Sequence, residues 1–317
     1  MRMPGNISPR LWWWLRAALG IAAIVAIGFL IDPARILQSF AQADAVPLSA
    51  ALILLLPNLY VQFAKWRYLL RSAGHSAEDG DVLVSILGGF AAGILTPARI
   101  GEFGGRLIGM GGHEKNSVLG LVAVDKAATM LMTVSAGIIA SAMLFIDGVS
   151  ISMRIPAIIA AVSMPIAAIE VFLRLMKSSR GDGGGRLKQW LSSLMHGAGK
   201  LTRRNLYGTA GYSALFYAVF VLQYLLLVSA FGAIEVLPTV EAIAATLFAK
   251  TVIPPVTLGE LGIREGLSVA ILGFTGISKS AAFNAAFLLF CINVLIPALA
   301  GGVAITRDVA RTRVDEV

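Results

Sequence analysis

Thr96-Pro97-Ala98-Arg99-Ile100-Gly101-Glu102-Phe103-Gly104-Gly105-Arg106 returns in reduced form as Pro255-Val256-Thr257-Leu258-Gly259-Glu260-Leu261-Gly262-Ile263-Arg264. The shared frame is Pro-x3-Gly-Glu-x-Gly-x-Arg. Pro97 and Pro255 stand 158 positions apart in a chain of 317, almost half its length. Both copies lie in strongly apolar surroundings. A membrane unit present twice, with charge inside it, is the simplest reading, and intramembrane charge marks a binding or transport site by default.

Composition sets the class. Hydrophobic residues make up 57% of the chain and charged residues 14%, with a mean hydropathy of +0.80. A soluble domain of this size cannot hide so much apolar surface. Strand-type alternation over ten-residue segments is absent, which argues against a β-barrel. The net charge of +8 sits largely in loops beside apolar runs, so anionic lipid headgroups explain it better than nucleic acid does. Cys291 is the single cysteine, so no intramolecular disulfide and no cysteine-based metal site can form. His75, His113 and His196 are scattered without ligand spacing, and no cofactor or metal is expected.

Apolar stretches of spanning length run over 11–31, 47–71, 116–146, 155–176, 207–232 and 280–306. Trp12, Trp13 and Trp14 read as an interfacial anchor at the start of a retained first span. Residues 81–110 and 239–272 differ: each starts apolar, meets Pro, and continues with Gly, Glu and Arg. Each reads as a re-entrant hairpin, one half-helix in and one half-helix out.

Lys177, Arg180, Arg186, Lys188, Lys200, Arg203 and Arg204 make the loop at 177–204 basic, which places it in the cytoplasm with Arg2, Arg10 and the tail residues Arg307, Arg311 and Arg313. Those positions agree only if the hairpins do not cross the membrane. Each half then holds three spans, and the second is inverted relative to the first. The expectation is an all-α polytopic inner-membrane domain over 1–317, with a first repeat at 1–150, a second at 151–317, and both termini cytoplasmic. Eight full spans remain the alternative.

Several polar residues are candidates for chemistry. Thr96 can cap a helix beginning at Pro97, and Thr257-Leu258-Gly259-Glu260 reads as a capping box. Helix starts at the two breaks would offer free N–H groups and a positive dipole end to an anion such as phosphate. Arg99, Arg106 and Arg264 add forked donors. Glu102, Glu260 and Glu265 partly balance them, or pair with them and merely hold the hairpins. Asp125 and Lys126 lie about 100° apart on one span, so Lys126 can balance Glu102 without pairing to its neighbour. Lys250 is a further candidate, with snorkelling to an interface as the bland alternative. Asn58 and Gln62 share a helix face, with Arg67 beyond them. Lys65, Arg67 and Arg71 read by default as positive-inside anchors. Glu170 and Arg174 read as an ion pair, and Gly89-x3-Gly93 as a close-packing stripe.

At these residues the chain resembles the transmembrane domain of the lysylphosphatidylglycerol synthase/flippase superfamily. The matching pieces are Asn58 with Trp66-Arg67, Thr96-Pro97-x-Arg99-x-Gly101-Glu102 with Arg106, Asp125-Lys126, and Pro255-x3-Gly259-Glu260-x-Gly262-x-Arg264-Glu265. The resemblance spans nearly the whole chain. In the best-known members this domain moves an aminoacylated phosphatidylglycerol between leaflets, ahead of a soluble synthase domain that nothing here matches, so lysyl transfer is not implied. Relatives without that domain are linked to other lipids, including polyprenyl carriers and hopanoid metabolism. What the resemblance implies is movement of an anionic, phosphate-bearing lipid, without enzymatic activity. A homodimer or a lipid-biosynthetic enzyme is a possible partner; nucleic acid is not. An ion-coupled organic-anion carrier and a non-transporting partner of a lipid-modifying enzyme are the competing readings. The second copy has Val256-Thr257 where the first has Ala98-Arg99, so the halves cannot grip a headgroup identically.

Overall fold

The computed structural model describes residues 18, 21–22, 25–96, 98–144, 151–178, 198–253 and 260–315. Trp12–Trp14, Pro97, Thr257, the glycine run at 181–185 and most of the basic loop lie outside them, so the anchor, the second capping box and the orientation argument do too.

The described residues are helical, with no strand among them. Residues 25–31 are helical and lead to α1 (Pro33–Ala41). The pair α2 (Ala45–Ile53) and α3 (Leu55–Ser72) forms the first long rod. There follow α4 (Asp79–Ile94), the one-turn α5 (Gly101–Gly105) and α6 (Lys115–Leu144). The second half runs α7 (Ile151–Ser178), α8 (Arg203–Ser229), α9 (Val236–Val252) and α10 (Ile263–Leu272). It ends with α11 (Lys279–Phe290), a π-helical turn at Cys291–Leu295, and α12 (Ile296–Asp315).

Four rods are long and apolar enough to cross a membrane: Ala45–Ser72, Lys115–Leu144, Arg203–Ser229 and Lys279–Thr306. They coincide with four of the six expected spans. The fifth, 155–176, is the 28-residue α7, which carries Pro156 and Pro165 inside it. Large apolar side chains such as Leu30, Leu56 and Val46 point outward, as lipid-facing residues do. The chain is a membrane protein.

At both expected positions one helix gives way to another, α4 to α5 and α9 to α10. In the first, the arms meet backbone to backbone. A Cβ on Gly105 would stand 2.3 Å from the Gly88 carbonyl oxygen, and one on Gly101 would stand 2.3 Å from that of Ala92. Only glycine permits that approach. Gly89 and Gly93 pack instead against the side chains of Glu102, Arg106 and Arg99. The return arm is shorter than expected, since α5 spans only five residues before a series of turns.

The halves interlock. Gly137 on α6 lies so close to α9 that a Cβ would sit 2.1 Å from the Phe248 Cβ. Gly301 on α12 lies equally close to α4, 2.0 Å from the Leu87 carbonyl oxygen. The rod after each hairpin therefore packs against the first arm of the other. Two buried clusters form, one mainly from each half, though Ile169, Leu201, Leu206 and Ala298 join the first and Ala51 joins the second, and their anchors share a register. Trp66, Leu69 and Leu70 in one match Tyr224, Leu227 and Val228 in the other, each 158 positions on.

Candidate functional site

The break in the first hairpin is a reversal through left-handed backbone. Ala98 and Arg99 have φ of 54° and 53°, a region that disfavours side chains bearing a Cβ. Thr96 secures the turn: its Oγ1 accepts from the Gly101 amide at 2.7 Å and donates toward the carbonyls of Ala92 and Gly93. The helix start expected next to Thr96 instead lies at Gly101, with Ile100 in the N-cap position, and Thr96 reaches its first amide across the turn. The second break has Glu260 at φ 62° and Gly262 at φ 84°. There Glu265 reaches back, its Oε2 accepting from the Gly262 amide at 2.7 Å. Glu265, expected as a balance for Arg264, thus also caps the start of α10.

These details revise the anion cradle expected at the helix starts. One turn of α5 aligns too few peptides for a strong dipole, and at α10 a carboxylate already occupies the positive end. What remains for an anion is side chains.

Four charged side chains form a closed set behind the first break. Lys65 Nζ lies 2.7 Å from Asp125 Oδ1, and Arg106 Nη2 lies 3.5 Å from Asp125 Oδ2 and 3.4 Å from Glu102 Oε1. All four are at most 4% exposed. Two bases and two acids cancel, which is the condition under which charge tolerates burial. Lys65 also donates to Thr129 Oγ1 at 2.8 Å. Reading Lys65 as an interfacial anchor is therefore overturned. It sits two helical turns below the end of α3, and only its distance in sequence, about 60 positions from Asp125 and Thr129, hid the partnership.

Outside that set stand partly exposed charges. Arg99 Nη2 is 3.3 Å from Glu102 Oε2, and Lys126 Nζ is 2.5 Å from Glu102 Oε1, the balance expected of Lys126. Glu260 pairs with Lys250 at 2.6 Å, with Arg264 of its own arm also within electrostatic range. Arg99 is within electrostatic reach of both Lys250 and Glu260, so the two breaks face each other. Nε and Nη1 of Arg106 and Nε of Arg99 make no hydrogen bond among the described residues.

The two arginines of the repeated frame are seated by the same device on different scaffolds. Trp66 Nε1 donates to Ser85 Oγ at 3.1 Å, and Ser85 donates to the Arg106 carbonyl at 2.6 Å. In the second half Ser268 donates to the Arg264 carbonyl at 2.8 Å, which leaves Tyr224 as the donor to Ser268. Trp66 and Tyr224 occupy equivalent positions, but Ser85 lies on the first arm and Ser268 on the second. The guanidinium of Arg106 stacks over Trp66 at 4.9 Å, and that of Arg264 over Phe290 at 5.3 Å, just ahead of the π-helical turn.

Other candidates fall elsewhere. Asn58 is buried and accepts from Gln62 at 2.9 Å, one face as expected, without an ionic partner among the described contacts. Arg67 pairs with Asp79 at 2.8 Å near the end of α3 and is not brought to the breaks. Glu170 bridges to Arg203 on α8 rather than to Arg174. The histidines are not all scattered: His75 Nδ1 lies 3.3 Å from His113 Nδ1, and His75 Nε2 lies 2.8 Å from Ser117 Oγ. An apolar groove of about 390 Å³ runs between α6, α7 and α8, floored by Gly120, Val124, Ala127 and Leu131. Lys126 points away from that stripe by more than a quarter turn of ~3.6 residues.

No curated protein matches the chain. The family model described as "Lysylphosphatidylglycerol synthase TM region" matches residues 13–301. A match over nearly the full length, on a helical membrane fold whose paired breaks carry the repeated Gly-Glu-Arg frame, assigns the chain to that family of membrane domains.

Proposed function

We propose that this protein moves an anionic, phosphate-bearing lipid between the leaflets of a bacterial inner membrane, with the two breaks as the headgroup site. The supporting observation is the nearness of the breaks: Arg99 lies within electrostatic range of the Lys250–Glu260 pair of the other half, among rods long and apolar enough to cross a membrane. The partly exposed guanidinium of Arg99 and ammonium of Lys126 suit phosphate oxygens. The first arms α4 and α9 have 16 and 17 residues, about 24–26 Å at ~1.5 Å each, short of a ~30 Å hydrocarbon core. That length favours re-entrant hairpins in an inverted pair over eight full spans. Reciprocal packing of each hairpin on the other half's rod gives a body in which one repeat can rock against the other and expose the headgroup alternately. The tail stays in the bilayer. No covalent step is assigned to the site, and no cofactor or second protein is required by it.

The test is a scrambling assay on the full chain in liposomes carrying acyl-chain NBD-labelled phosphatidylglycerol, read by dithionite quenching. The wild type quenches label beyond the outer-leaflet share, and Arg99→Gln/Lys126→Gln slows this at least about tenfold, the effect of losing two charge-assisted contacts. Wild-type vesicles indistinguishable from empty ones, for anionic and neutral lipid alike, would overturn the proposal. They would turn attention to a partner role in lipid modification.

A further inference from the structure

The charges at the breaks divide by exposure, and the division has a net sign. The buried members balance: Lys65 and Arg106 against Glu102 and Asp125, and Arg264 beside Glu265, which is fully buried. The accessible members do not. Side-chain exposure is 39% for Lys126, 28% for Lys250 and 24% for Arg99, against a single acid, Glu260, at 17%. Three cations and one anion leave two positive charges at the rim where a headgroup would enter.

Excess charge in a membrane-embedded site is costly until a ligand neutralises it. A phosphodiester headgroup brings one negative charge and leaves one cation uncompensated. A terminal phosphate monoester carries about −1.5 to −2 at neutral pH and three acceptor oxygens. Three oxygens also match three separate donors, which lie on α6, on α9 and at the first break. Resting on the lipid reading above, we propose that the rim selects lipids ending in a phosphate monoester over phosphodiester lipids such as phosphatidylglycerol.

The experiment offers the purified full chain an equimolar mixture of phosphatidate, phosphatidylglycerol and phosphatidylcholine with matched acyl chains, and counts retained lipids by native mass spectrometry. Phosphatidate is expected to exceed phosphatidylglycerol about tenfold, the effect of one additional effective ion pair. Lys126→Gln lowers the rim excess from two to one and brings the two anionic lipids to within about threefold of each other. Glu260→Gln raises the excess and keeps phosphatidate ahead. If Lys126→Gln fails to elute as a folded protein, Lys250→Gln makes the same change in charge at the other hairpin.

The outcomes separate. Equal retention of both anionic lipids, each above phosphatidylcholine, overturns the monoester selection and leaves the lipid reading standing. No anionic lipid above phosphatidylcholine overturns both. Displacement of phosphatidate by excess glycerol 3-phosphate or inorganic phosphate shows that the rim reads a soluble monoester and overturns the lipid part. An unchanged ratio in a folded Lys126→Gln protein removes rim charge as the selector.

Discussion

Lys65 and Asp125 make the sharpest quantitative case. They face each other at 2.7 Å with 4% and 3% side-chain exposure. At an effective dielectric of about 20 the gross attraction at that distance is about 6 kcal/mol, and desolvation offsets most of it. Removing one partner is different, because the other remains buried and charged. Lys65→Met leaves Asp125 with Arg106 alone, at 3.5 Å. Asp125→Leu removes the acid that two cations share. Each single change is expected to destabilise by about 3–5 kcal/mol, with Asp125→Leu the worse. The double variant Lys65→Met/Asp125→Leu is expected to lie well above the sum of the two, since no lone charge is left on that pair. Denaturant titration in mixed micelles, followed by tryptophan fluorescence, measures all four corners of the cycle. Strictly additive single effects below about 1 kcal/mol would refute the reasoning, since only a hydrated pair behaves that way. Lipid retention by the folded double variant separates this buried tie from the rim, which it leaves intact.

Further outcomes follow from the same geometry. Gly105→Ala drives a Cβ to 2.3 Å from the Gly88 carbonyl oxygen, so the hairpin arms must part; a loss of at least about 1–3 kcal/mol is expected, while Gly104→Ala, with open space around it, is near neutral. Equal stabilities would contradict the backbone contact. Tyr224→Phe removes the donor to Ser268 but leaves Ser268 bonded to the Arg264 carbonyl, so a modest loss of about 1 kcal/mol is expected, against about 2 for Ser268→Ala, which frees both neighbours. Burial, and then the charge of His113 and of Lys200, hold His75 below its ordinary value of about 6.5, with Glu114 opposing. The folded state thus favours neutral His75. Its contribution is complete above about pH 6.5 and declines as pH falls below it. A melting-temperature profile should fall on acidification, and His75→Gln should flatten that slope; an unchanged slope would assign it to other groups.

Sequence patterns carried the fold further than the site. The long rods and both breaks were legible because Pro, Gly and charge interrupt otherwise continuous apolar runs. The start of α5 was misplaced because Pro at a first helical position is a local preference, whereas Thr96 spans to Gly101 across two left-handed residues. The helix α1 was passed over although Asp32-Pro33 is a capping pair, with Asp32 accepting from the Ala34 amide. In the site, Lys126 with Glu102 was foreseen from helical geometry. Lys65 was not, since a lysine two residues from Arg67 on the same helix looks like an anchor until Asp125 is brought to it from another rod. The pairing of Glu260 with Lys250 was missed for a related reason: the match of the two frames pointed to arginines, which do act on Glu260, and its direct ion-pair partner stands outside the frame.

That last error has a general form. At the offset of 158, Glu102 and Arg106 are repeated as Glu260 and Arg264, but the rim cations are not repeated. Arg99 corresponds to Thr257, Lys126 to Asn284, and Lys250 to Ala92. The buried tie is also one-sided, with Lys65 and Asp125 facing Gln223 and Phe283 in register. Of the repeated residues, Glu102, Arg106 and Arg264 are deeply seated, the arginine carbonyls held by serine and the guanidinium planes by aromatic rings, while Glu260 alone reaches the rim. They build the breaks. The accessible cations come from positions where the halves have diverged. Duplication thus accounts for the frame and divergence for the net charge it presents, so the residues that choose a ligand are to be sought where the two copies disagree. A search guided only by the repeated motif stops at Arg106 and Arg264, whose burial at 2% and 5% leaves little surface for a headgroup to touch.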